Sequence, residues 1–169
     1  GTMVAGPTVL LSGCGSGDAV DRRLQFGSLH AAMDEAERRA ALAITPTHST
    51  WRLSKTLAHC APSIEFSISG FPEMKSELFR NTVGAAAFDV FAWRGLMSHD
   101  LTAPIPGAPS LAADSDIEIA LTRMRDAIET FETTQEPLQP HFAFGYLDKP
   151  DYALAHAMHL ANHFSVIPA

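Results

Sequence analysis

The sequence predicts an all-α fold, and three observations predict it. Apolar residues recur at helical spacing in each long segment, prolines and glycines punctuate those segments, and no stretch shows the alternation of a half-buried strand. The segments number five and their connections are short, which is the pattern of a helical bundle. With 169 residues, 46% apolar and 18% charged, the chain is long enough for one core that buries roughly two-thirds of the surface exposed on unfolding.

Residues 1–26 are expected to form an N-terminal extension, of the kind left when an export signal has been removed upstream. They hold the apolar run Val9-Leu10-Leu11 and the glycines Gly13, Gly15 and Gly17. Leu11-Ser12-Gly13-Cys14 is also how a lipoprotein signal ends, but the apolar stretch before it is short and lacks basic residues. The glycine run has neither the spacing nor the following Lys of a phosphate loop.

Residues 27–169 are expected to form a single helical domain. Its first helix starts at a Ser28 cap and shows Leu29, Ala32, Met33, Ala36, Ala40 and Leu42 on one side. Thr45-Pro46-Thr47 ends it. A second helix runs from Trp51 to Ser69, with Ser49 or Thr50 as cap, Gly70 and Pro72 as stop, and Pro62 expected to kink its middle. A third runs from about Met74 to Met97, with Phe79, Val83, Ala86, Ala87, Val90 and Phe91 as core contacts and Gly84 allowing close helix packing.

Three prolines make Ala103–Pro109 an ordered loop or linker, since they remove donors and restrict the residues before them. Asp114 or Ser115 is the expected cap of a fourth, amphipathic helix with Ile117, Ala120, Leu121, Met124, Ile128 and Phe131 facing inward. After the connection Pro137–Gly145, Asp148 caps a last helix with Pro150 in its first turn.

Nineteen acidic against twelve basic residues give a net charge of -7, with no Lys/Arg cluster to track a phosphate backbone, so nucleic acid is disfavoured as a partner. No apolar run approaches the roughly 20 residues of a membrane helix. Cys14 and Cys60 are too few for a disulfide framework and leave the compartment, cytoplasm or periplasm, open.

Eight histidines are many for this length, and His156, His159 and His163 fall in the last helix. At 100° per residue they share an arc about 60° wide. His159 and His163 have the i, i+4 spacing that lets two imidazoles reach one ion; His156 lies about 10 Å from His163 along the axis and suits that ion poorly. A third ligand must come from another helix, and His59 stands among apolar residues on a helix expected to be buried. Three neutral nitrogens suit a divalent metal, Zn or Ni foremost and Fe or Mn next, at a site with positions open for water or substrate. Hydrogen-bonded interior histidines are the other reading of the same spacing.

Several linked segments carry a resemblance: Trp51–His59 (WRLSKTLAH), Ser63-Ile64-Glu65-Phe66-Ser67, Ser69-Gly70-Phe71-Pro72, Pro104–Pro109 (PIPGAP), His141–Gly145 (HFAFG) and His156-x-x-His159-x-x-x-His163. From about residue 27 onward the chain resembles a bacterial domain family of unknown function within the DinB/YfiT-like superfamily. The resemblance implies a four-helix bundle, here with an additional short helix, whose metal is held by one histidine late in the second helix and a His-x-x-x-His pair in the last. Position for position these are His59, His159 and His163. Some members are thiol-dependent transferases or isomerases and others hydrolase-like, and related bundles often pair as homodimers; none of that chemistry transfers residue by residue.

No residue is assigned as catalytic and no organic cofactor site is expected. His141 is read chiefly as a loop histidine bonded to backbone, Glu65 as a cap or salt-bridge partner, and Cys60 as a small buried residue pointing away from His59. Two functions follow. One is a metal-dependent transferase or hydrolase acting on a small molecule; the alternative is a non-catalytic helical module that binds a ligand or dimerises.

Overall fold

A computed structural model describes residues 21–42, 51–112 and 116–167. Among these residues every regular element is a helix, without a β-strand. Helix α1 spans Leu29–Ala41 and α2 spans Leu53–Ser69. The next, α3, begins as Glu77–Phe79, passes through a π turn at Arg80–Gly84 and continues as Ala85–Arg94. Helices α4, Ile117–Thr133, and α5, Lys149–Ser165, complete the order. No helix among the described residues is long and apolar enough to cross a membrane.

Local chemistry accounts for the ends. Ser28 accepts from the Ala31 amide to start α1, and Asp148 accepts from the Asp151 amide to start α5, where Pro150 occupies the first turn without losing a needed donor. Gly95, at φ 64°, closes α3 in the left-handed conformation that favours glycine. Two expected caps differ. Ser49 and Thr50 lie outside the described residues, and α2 starts later than expected, at Leu53, after an Arg52 that makes no side-chain cap. Asp114 and Ser115 also lie outside them, and Asp116 caps α4 by accepting from the Glu118 and Ile119 amides. Helix α2 runs through Pro62 as one assigned element.

Helices α1 and α2 contact each other and each contacts both α4 and α5, and the four share a core that includes Leu57, Ile64, Met124, Phe131, Leu160 and Phe164. Burial of these side chains, each worth about 1.5–3 kcal/mol, is the main force holding the elements together. Helix α3 joins this core through Phe88 and, more peripherally, Phe91 and Ala92. The start of the described chain is fixed too: the Arg22 amide donates to the Ser165 carbonyl at 3.0 Å, the Leu24 amide to the Ser165 hydroxyl at 2.8 Å, and Phe26 packs edge-on to Phe164. Glu35 gathers Arg22, Arg38 and Arg39 nearby, and Arg39 in turn donates to the Ile167 carbonyl. The C-terminal end of α5 is therefore held from two sides.

The face expected for α3 is wrong in part: Phe91 packs against the core, but Val83, Ala86 and Val90 do not. Val83 and Val90 are 61% and 50% exposed, Ala86 is exposed, and the buried side chain is Phe88. A π turn adds one residue and rotates everything after it by about 100°, so the buried positions are Gly84 and Phe88 in place of Val83 and Ala86. Gly84 does permit a close approach, but to a loop: a Cβ there would overlap the backbone carbonyl of Ala143. That loop folds back on itself through paired backbone bonds between His141 and Gly145.

Candidate metal centre

Four histidines converge between α2, α5 and the stretch that follows α3. His59 comes from α2, His159 and His163 from successive turns of α5, and His99 from the segment after Gly95. One ring nitrogen of each lies within 4.8 Å of the others. The rings of His59 and His163 are 4.6 Å apart between centroids, those of His159 and His163 4.8 Å, and His99 is 5.1 Å from both. His99 Nε2 sits 3.2 Å from His163 Nε2.

The surroundings orient these rings. The Ser63 hydroxyl donates to the Cys60 carbonyl at 2.7 Å, which leaves its oxygen to accept Nδ1–H of His159 at 3.2 Å. That assignment turns the lone pair of His159 Nε2 toward the other histidines. The side-chain amide of Asn162 lies 3.0 Å from Nδ1 of His99 and can do the same there when its oxygen faces the ring. Trp51 covers the outer side, stacked 5.9 Å from His163 and edge-on at 5.0 Å to His59.

Electrostatics favours neutral rings. Burial, then repulsion from His99, pushes His59 down to about 4; burial, then His59 and His99, depresses His163 further; and burial together with all its neighbours holds His159 well below its ordinary value. His99 is lowered by burial, with Asp100 opposing. Neutral imidazole is the form that ligates. The donor set also leaves one atom unexplained: Nε2 of His59 is buried without a hydrogen-bond partner. A divalent cation among these nitrogens would satisfy it, so the residues fit a metal.

Other sequence candidates fall elsewhere. His156 is buried one turn before His159, between Phe131 and Tyr152. His141 is buried in the loop, its Nδ1 accepting from the Ala143 and Phe144 amides, its ring stacked on Phe144. Burial pushes both down to about 3. Cys60 is wholly buried, and burial raises its thiol. Glu65 pairs through both oxygens with Arg123 on α4, at 2.7 Å each. Cys14 lies outside the described residues. His99 escaped the sequence reading because a loop has no period; its only local signal is the turn after it, where the Thr102 amide and hydroxyl donate to Asp100.

A cavity of about 250 Å3 reaches His59 between α2 and the proline-rich loop. A larger surface groove of about 780 Å3, between α2 and α4, contains no histidine and lies along the Glu65–Arg123 pair.

The sequence profile of a family described as "protein of unknown function (DUF1569)" matches residues 19–168. No curated protein and no solved structure matches the chain.

Proposed function

The chain belongs to the DUF1569 family, and on that footing we propose that it is a divalent-metal-dependent enzyme of transferase or hydrolase type, with a DinB-like bundle arrangement. His59, His159 and His163 hold the ion. The buried, unpartnered Nε2 of His59, on a ring clustered with three other imidazoles, is the observation that carries this reading. A metal bound there would supply Lewis acidity. The chain's own residues do the rest: Ser63 fixes the tautomer of His159, Trp51 limits water, and His99, borne on a loop where the other three sit on helices, is the nitrogen that yields to substrate. Zn and Ni suit an all-imidazole donor set best, with Fe and Mn next.

A second reading has its own support. Four nitrogens would complete a tetrahedral shell, which is how structural metal sites are built. The exposed Val83, Val90 and Trp93 of α3 give such a module an apolar face on which two copies could pair. Metal analysis by inductively coupled plasma mass spectrometry on wild type, His159→Ala and His163→Ala tests the shared premise. Near-stoichiometric metal, lost in both variants, supports it; no uptake after incubation with Zn, Ni or Mn overturns it. Coordination in His99→Ala then separates the readings: retained metal with solvent in the vacated position favours the enzyme, and metal loss favours the closed site.

A further inference from the structure

We propose that the cavity beside His59 binds a small organic carboxylate with a flat apolar body, presenting it to the histidines. The reaction this implies rests on the metal reading, but the binding does not. One wall is a single face of the chain entering and forming α2, with Trp51, Lys55, Ala58, His59 and Pro62 at helical spacing. The opposite wall is the loop, through Pro104, Ile105, Ala108 and Pro109.

Charge selects the ligand. Lys55 is the one charged side chain of the lining. Its ammonium rests 5.0 Å above the Trp51 ring, and among the described residues no carboxylate pairs with it. Lys75 and Lys149 likewise lie over a ring and pair with no carboxylate among the described residues, whereas Arg22, Arg38, Arg123 and Arg125 each pair with a glutamate; of the three lysines, Lys55 is the one that lines this cavity. A half-buried cation over an indole, with no anion of its own, is a site for one from outside. A single ammonium suits a singly charged carboxylate better than a phosphoryl group, which draws several donors.

Shape narrows the class further. At roughly 30 Å3 per water the cavity holds about eight, which suits a single-ring acid. The indole and the prolines offer flat apolar surface. The loop is also preorganised: the Ala108 amide donates to the Ile105 carbonyl at 2.9 Å, and Gly107, at φ 78°, lets the backbone lie against Pro72, where a Cβ would collide. Little ordering remains for a ligand to impose.

Trp51 is a built-in reporter, since Trp93 is the only other tryptophan. In a Trp93→Phe background, metal-stripped protein is titrated with benzoate and with its neutral isostere benzamide, following Trp51 fluorescence. Benzoate should saturate the signal at a concentration at least tenfold below benzamide. Lys55→Met should weaken benzoate about tenfold and leave benzamide unchanged, and Lys55→Arg should restore it. Equal affinities, no saturable response, or indifference to Lys55→Met in protein with an unaltered melting curve would overturn the proposal. Metal uptake measured on the same preparations keeps the two ideas apart: protein that takes up metal but ignores benzoate loses only the carboxylate site, and protein that binds benzoate but no metal loses only the metal centre.

Discussion

Helix α5 carries two groups of histidine environment one turn apart, and they differ in what faces them. His156 meets Phe131 and Tyr152, and its neighbour His141 spends its Nδ1 on two backbone amides. His159 and His163 meet His59 and His99, nitrogen toward nitrogen. His141 and His156 in the one group, and His59, His159 and His163 in the other, are buried, and burial disfavours the charged form of each. His156 even shares with His59 a buried Nε2 that lacks a partner. An orphan nitrogen thus does not make a site by itself. Four that converge are the arrangement that a single cation would satisfy together.

The sharpest way to break this contrast is to remove one member of each group. His59→Ala should lower metal affinity at least 100-fold, measured by competition with a chromogenic chelator, since it deletes a proposed ligand outright. His141→Ala should leave metal content intact and cost about 2–3 kcal/mol in urea denaturation, by removing a buried ring and stranding two amides. Equal metal loss in both variants would erase the distinction.

Acid should destabilise the metal-free protein through both groups, since burial holds His59, His159 and His163 below their ordinary value as well. His141 and His156 are pushed down to about 3 in the folded protein, against an ordinary value near 6.5. Below pH 6.5 the unfolded chain takes up protons that the folded chain refuses, so stability is full above that point and is lost progressively toward pH 3. The urea midpoint of metal-free protein should be flat from pH 7 to 8 and fall from pH 6.5 to 4. A midpoint that stays level through that lower range would show these rings are not held neutral.

Smaller effects test the support of the ligands. Ser63→Ala removes the acceptor for Nδ1–H of His159 and should weaken metal about tenfold with the fold retained. His99→Ala should weaken it by less than tenfold, and should change the visible absorption of the Co(II)-substituted protein as solvent replaces the imidazole. An unchanged spectrum would remove His99 from the coordination shell.

Much of the architecture was legible because it is written locally. Ser28, Asp148 and Pro150 mark helix starts by hydrogen bonds made within one turn, and the apolar spacing of Leu121, Met124, Ile128 and Phe131 needs no knowledge of what lies opposite. The π turn was not: it ends at Gly84, which lies against the backbone of Ala143, a neighbour distant in sequence, and the extra residue turns Val83 and Val90 outward. The site divides the same way. His159 and His163 are visible as one turn of one helix, whereas spacing left His59 as a candidate that the family resemblance singled out. His99 belongs to no periodic segment, and only the folded chain brings it within 3.2 Å of His163.

The central claim is that these imidazoles surround a divalent ion. X-ray absorption at the metal edge of the loaded protein tests it most directly, by counting the ligands and identifying them through the outer-shell scattering of imidazole. At least three imidazole nitrogens at about 2.0–2.1 Å, falling by one in His163→Ala, is the result this account predicts for zinc. A shell of oxygen or sulfur without imidazole, or one unchanged by that substitution, would contradict it.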